Sequence, residues 1–163
     1  MCSSVMNKQV SFLVLLNIRS AQNVGSLFRT ADAAGISKIY LVGYTPDPVD
    51  RFNRPRADVA KASLGAEKTV AWEHVKTVSP LLKKLKGQGV QLVAVEQSES
   101  SVDYKKIKPQ FPVAFILGNE VEGISKNVLS KVDLVAEIPM AGKKESLNVS
   151  VAGGIALFRM LNR

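Results

Sequence analysis

Ser11-Phe-Leu-Val-Leu-Leu16, followed by Asn17-Ile-Arg-Ser-Ala-Gln-Asn-Val-Gly-Ser-Leu-Phe-Arg-Thr30, reads as a buried strand that runs directly into a helix. The first run is almost continuously apolar rather than alternating, the pattern of a strand covered on both faces of a parallel sheet. Behind it Val24, Leu27, Phe28, Ala31 and Ala34 recur at helical spacing. Gly35 then closes the helix, since a glycine takes the left-handed conformation without a Cβ clash.

The same alternation extends along the chain. Apolar runs at Lys38–Val42, Thr69–Trp72, Val90–Val95, Pro112–Leu117 and Leu134–Ile138 are predicted strands, six in all with the first. Between them Val78, Leu81, Leu82 and Leu85 predict a helix ended by Gly87 and Gly89, and Val128 and Leu129 predict another capped by Ser125. A last helix is predicted from about Leu147 to Leu161, with Ser146 as its N-cap, Asn148 in its first turn, and Val151, Ile155, Leu157, Phe158 and Leu161 as its apolar residues. Strand–helix alternation of this kind predicts an α/β fold: a mostly parallel six-stranded sheet with flanking helices, in one domain spanning residues 1–163. The one long irregular stretch, Gly43 to Arg56, holds Pro46, Pro48, Pro55, Arg51, Arg54 and Arg56; loops of that length in small domains are usually functional or mobile.

Composition narrows the function. Twenty-two Lys and Arg residues against 14 Asp and Glu give the chain a formal charge of +8, which favours polyanionic partners, nucleic acid foremost. Cys2 is the only cysteine and His74 the only histidine, so an intramolecular disulfide, a cysteine-based zinc site and a multi-histidine metal site are all excluded, and no metal is expected. The Ser11–Leu16 run is too short for a membrane span and lacks a cleavage pattern, so a cytoplasmic location is expected. Gly118-Asn-Glu-Val-Glu-Gly123-Ile124-Ser125 imitates a phosphate-binding loop, but Ile124 stands where that loop needs a lysine, and Glu120 and Glu122 would repel a triphosphate. Asn23-Val-Gly25 supplies only one glycine of a dinucleotide-binding turn. His74 and Cys2 read as a surface residue and a terminal thiol rather than as catalytic groups.

Three polar segments remain, each at a strand end: Asn17 to Thr30, Leu117 to Gly123, and Ile138 to Ala152. Taken by spacing alone they imply a basic α/β domain with a polar cleft. Together they resemble the signature of the SPOUT superfamily, in its SpoU/TrmH-type branch of RNA 2′-O-ribose methyltransferases. The matching residues are Asn23-Val-Gly25 with Arg29-Thr30-Ala31 and Gly35, Leu117-Gly118-Asn119-Glu120 with Gly123, and Ile138-Pro139-Met140 with Ser146-Leu147-Asn148-Val149-Ser150-Val151-Ala152. They span nearly the whole chain.

The resemblance implies a C-terminal trefoil knot, a homodimer whose protomers complete each other's sites, and S-adenosylmethionine as cofactor. It places the cofactor at Val95, Leu117, Gly118, Ile138, Met140 and Leu147, with Gly118 and Gly142 allowing close backbone approach. It implies that Arg29 is central to the chemistry, with Asn23, Glu120, Ser146 and Asn148 around it. A guanidinium is a poor base, so Arg29 is expected to fix a phosphate and stabilise the developing alkoxide, and to be a candidate for accepting the proton. The substrate is expected to be transfer or ribosomal RNA. About ten residues precede the first strand and the last helix ends the chain, so no separate RNA-binding extension is expected; Arg19, Arg51, Arg54, Arg56, Lys61, Lys143 and Lys144 are the candidate RNA contacts. The rival functions are a non-catalytic RNA-binding protein with this fold, and a small-molecule enzyme using a nucleotide cofactor.

Overall fold

A computed structural model describes residues 9–163; Cys2 lies outside the described residues. β1 (Ser11–Leu16), β2 (Lys38–Val42), β3 (Trp72–Val75), β4 (Gln91–Val95), β5 (Val102–Asp103), β6 (Val113–Leu117) and β7 (Leu134–Glu137) form one sheet in the order β3-β2-β1-β6-β4-β7-β5. Every pairing is parallel, so all the strands deliver their C-terminal ends to a single edge. The helices are α1 (Ala21–Ala34), α2 (Ala57–Ser63), α3 (Ala66–Thr69), α4 (Val78–Gly87), α5 (Lys126–Leu129) and α6 (Val149–Met160), with a short 3-10 turn at Tyr104–Lys106.

Side chains on adjacent strand residues point to opposite faces, and the two faces carry separate cores. Leu13, Leu15, Phe115 and Leu117 pack with Val24, Leu27 and Phe28 of α1 and Leu157 of α6. Val14, Leu16, Ile116 and Leu92 pack with Leu81, Leu82 and Leu85 of α4 and Val128 of α5. Burial on both faces is why the central strands are continuously apolar. α6 settles closely on the first face: a Cβ added to Gly153 would stand 2.7 Å from Leu27 Cδ2 and 2.8 Å from Leu117 Cδ1.

The sheet has seven strands rather than six, because the two-residue edge strand Val102–Asp103 pairs with Ala136 and Glu137 and is too short to show a pattern. The apolar run at Thr69–Trp72 is the end of α3 followed by the start of β3, so the third strand begins three residues later than expected. α2 and α3 lie between β2 and β3, beyond the irregular stretch that ends at Arg56. Gly35 is the α1 C-cap at φ 75° and Ser125 caps α5, both as the sequence indicates. The cap of α6 is Asn148 and not Ser146. Its Oδ1 accepts from the N–H groups of Ser150 (2.9 Å) and Val151 (3.4 Å), which leaves Ser146 outside the helix on an exposed segment.

Candidate functional site

The C-terminal ends of β4, β6 and β7 open into a cleft of about 190 Å³. Open α/β sheets bind ligands at this edge, where the loops leaving the strands diverge. Val95, Leu117, Ile138, Met140, Leu147 and Val149 make its apolar walls, while Glu96, Gln97, Asn119, Glu120 and Ser146 contribute polar groups. No Lys or Arg is among the lining residues. All six residues expected to hold a cofactor line this cleft, as do Glu120 and Ser146.

Glu120 sits in the loop after β6 with its carboxylate against the start of α1. Oε2 accepts from the Arg19 N–H at 2.9 Å, and Oε1 accepts from the Ser20 N–H and from Asn23 Nδ2, each at 3.0 Å. Partial burial pushes the Glu120 carboxyl upward, but the N–H donors of Arg19, Asn23 and Ser20 outweigh it and hold the group below the ordinary carboxylate range. Asn23 in turn accepts, through Oδ1, from Asn148 Nδ2 at 3.2 Å. One hydrogen-bonded chain, Asn148–Asn23–Glu120, therefore joins the three segments that the sequence singles out. Ser20 completes the α1 cap by accepting from the Asn23 N–H at 3.2 Å.

The neighbouring Asn119 is buried and fully used. Its Nδ2 donates to the Asn17 carbonyl (2.9 Å) and to Tyr44 Oη (2.8 Å), and its Oδ1 accepts from the N–H groups of Val121 and Glu122 (2.8 Å each). Four bonds exhaust the common capacity of a carboxamide, so Asn119 shapes the loop rather than meeting a ligand.

Glu96 has a related task. It accepts from the Ile124 N–H at 2.9 Å and the Gln97 N–H at 2.8 Å, and its carboxylate rests on Gly123, whose φ of 66° favours glycine. The sequence reading missed Glu96; the available signal was an acid placed directly after a buried strand. At Gly118 a Cβ would stand 2.8 Å from the Gly123 carbonyl, so the turn of its own loop requires its bareness, while Gly142 has open space around it.

Arg29 is exposed on α1, away from the buried Leu27 and Phe28, and does not line this chain's own cleft. Arg19, Lys61, Lys143 and Lys144 are exposed as well. In the loop after β2, Arg54 pairs with Asp50 (2.7 Å) and Arg56 with Asp58 (2.6 Å). His74 pairs with Asp47 at 2.5 Å, a surface tie rather than a catalytic arrangement. No group of three or more potential metal ligands is present among the described residues.

The model of the SpoU rRNA Methylase family matches residues 11–158. The chain is 31% identical over 158 residues to the tRNA (guanosine(18)-2'-O)-methyltransferase of Escherichia coli, a match covering 96% of this chain and 66% of that relative. It is 34% identical over 151 residues to the 23S rRNA (guanosine-2'-O-)-methyltransferase RlmB of Ralstonia nicotianae, covering 93% of this chain and 58% of that relative. The crystal structure of the AdoMet-bound rRNA methyltransferase from Sinorhizobium meliloti superposes with a TM-score of 0.85 at 32% identity, covering 95% of this chain and 57% of that one. The chain thus spans less than two thirds of the length of these relatives.

Replacing Glu120 with Gln keeps the shape of the α1 cap but sets an NH₂ group against N–H donors. The variant is expected to lose about 1–3 kcal/mol of stability at neutral pH. Because the folded carboxyl titrates below its ordinary value, the parent's advantage is full above ~pH 4.3 and disappears as pH falls through the lower, folded-state value. Urea denaturation of both proteins across this range measures the gap; a gap that does not change with pH contradicts the assignment.

Proposed function

The chain belongs to the SpoU rRNA methylase family, and on that premise we propose that it transfers a methyl group from S-adenosylmethionine to a ribose 2′-hydroxyl of transfer or ribosomal RNA. The observation that carries this reading is the charge of the cleft. Its apolar walls accommodate an adenine and a thioether chain, and its only charged lining residues are Glu96 and Glu120. That pair of carboxylates suits a ligand bearing a sulfonium and an ammonium and repels a polyphosphate. Val95, Leu117, Gly118, Ile138, Met140 and Leu147 would hold the cofactor, which when bound supplies an electrophilic methyl group.

The chain's own residues have the remaining tasks. Glu120, Asn23 and Asn148 are positioning residues that keep the three loops in register, and Ser146 stands at the cleft to orient the ribose. The apolar walls exclude water, which strengthens electrostatic stabilisation of an oxygen as it loses its proton. Arg29 supplies a fixed positive charge for the RNA phosphate and the developing alkoxide. The C-terminal knot, a cytoplasmic location and capture of RNA by this domain's own basic surface (Arg19, Lys143 and Lys144 among it) belong to the same reading.

Two observations support a homodimer as the working form. Val151, Ile155 and Phe158 are 48%, 37% and 37% exposed and recur every three or four residues, forming one apolar stripe along α6 that the described residues leave uncovered. Leu157 and Leu161 point inward and serve the core. Arg29, absent from its own cleft, lies one residue from the place where Thr30 meets α6 at Gly154. A second copy covering the stripe would bring the two sites together.

Arg29→Ala is expected to abolish methyl transfer to RNA while calorimetry finds S-adenosylmethionine affinity nearly unchanged. Turnover close to the parent's would remove Arg29 from the chemistry, and absence of cofactor binding and transfer in the parent itself would refute the function. Sedimentation velocity at micromolar concentration tests assembly: the parent should run as a dimer, and a variant carrying Ile155→Asp and Phe158→Asp as a folded, inactive monomer. A monomeric parent with full activity would contradict the dimer.

A further inference from the structure

The loop between β2 and α2 leaves the sheet at the same edge as the cleft, and its geometry revises what its arginines are for. Its tip is a closed hairpin and not a slack tether. Asp50 gathers the N–H groups of Phe52 (2.8 Å) and Arg54 (3.0 Å) and the Arg54 Nε (2.8 Å) on its carboxylate. The Asp50 N–H donates to the Arg54 carbonyl at 2.8 Å, Val49 bridges Pro55, and the Arg56 N–H donates to the Pro48 carbonyl at 2.9 Å. The base of the loop is fixed too, by the His74–Asp47 pair and by Tyr44 Oη on Asn119, whose own loop lines the cleft.

This rigid tip holds out Phe52, which is 62% exposed. The Arg51 guanidinium stands 4.7 Å from the Phe52 ring centroid and that of Arg54 5.0 Å. A phenyl ring at the end of a pre-formed hairpin contributes nothing to either core. Two of the loop's three guanidiniums pair with Asp50 and Asp58, so part of the loop's positive charge is neutralised within it. Among the described residues Arg51 alone of the three has no carboxylate partner. An exposed ring with two guanidiniums over it, on a chain of charge +8, complements a base attached to a polyanion, since bases stack on guanidinium planes as well as on aromatic rings. An apolar protein surface would leave the Arg51 guanidinium without a counter-charge.

We propose that Phe52, together with the guanidiniums over its ring, forms a stacking platform for an unpaired base of the RNA substrate, with Arg51 taking the adjoining phosphate. The inference rests on RNA being the substrate class. It adds that the recognised segment is single-stranded or looped, since bases inside a duplex are already stacked on each other and present no free face.

Fluorescence anisotropy with the full chain tests it, using a labelled single-stranded RNA oligonucleotide and the same oligonucleotide annealed to its complement, over a series of salt concentrations. Phe52→Leu keeps apolar bulk at an exposed position but removes the ring. It should weaken single-strand binding on the order of tenfold, with no change in salt slope and no effect on duplex binding. Phe52→Trp should restore the affinity. Arg51→Gln should flatten the salt slope by ~0.7, the contribution of one phosphate, where three contacts would contribute three times as much. Single-strand binding by Phe52→Leu at the parent's affinity overturns the platform, as does equal weakening of single strand and duplex. Methyl transfer to cellular RNA by the parent separates the two readings: transfer that is intact in both the parent and Phe52→Leu discards the platform alone, whereas a parent that neither binds RNA nor transfers methyl discards the function and the platform with it.

Discussion

Glu120 stands at the start of α1 with two backbone N–H groups and one carboxamide converging on its carboxylate. The N-terminus of a helix leaves N–H groups unpaired and carries partial positive charge, so a carboxylate there is favoured twice over. What makes the contact consequential is sequence distance: Glu120 lies about a hundred residues from Arg19 and Ser20. A single side chain thereby ties the loop after β6 to the helix that follows β1. Asn23 passes the tie on to Asn148, the cap of α6. Three segments that begin on different strands are held as one polar unit beside the cleft.

The arrangement explains the division of charge in a basic protein. Lys and Arg outnumber the acids over the whole chain, yet the cleft is lined by Glu96 and Glu120 and by no cation. Glu96 fixes the turn at Gly123 and Ile124 as Glu120 fixes α1, so both acids build the walls while setting their sign. Cations lie outside, on α1, on the loop after β2 and on the Gly142–Glu145 segment. Negative charge inside the cleft and positive charge outside it are kept apart by the same fold.

Much of this was legible in the sequence, and the failures have physical causes. β1, β2, β4 and β6 are covered on both faces and therefore read as continuous apolar runs. β3 lies at the sheet edge with His74 exposed and Glu73 paired to Lys38, so its pattern is diluted and the apolar end of α3 masquerades as its start. Ser146 and Asn148 are both good caps two residues apart; only the reach of Asn148 Oδ1 to Ser150 and Val151 decides between them. The family resemblance names Val95, Leu117, Ile138, Met140 and Leu147, and these line the cleft together with Val149. The Asn148–Asn23–Glu120 chain does not follow from any local pattern, because its links span 97 and 125 residues. Nor could the sequence show that Arg54 and Arg56 pair with neighbouring acids, since three closely spaced arginines look alike until the loop is folded.

If the polar chain is what assembles the site, its two asparagines act on the cofactor as one device. Asn148→Ser keeps a capping oxygen for α6 and removes only the amide that reaches Asn23, and Asn23→Ala removes the partner. Calorimetric S-adenosylmethionine affinities of the parent, both single variants and the double variant close a thermodynamic cycle. The expected result is that each single change weakens binding and the double variant is scarcely worse than the weaker single. Losses that simply add, or affinities that do not move, would contradict the account.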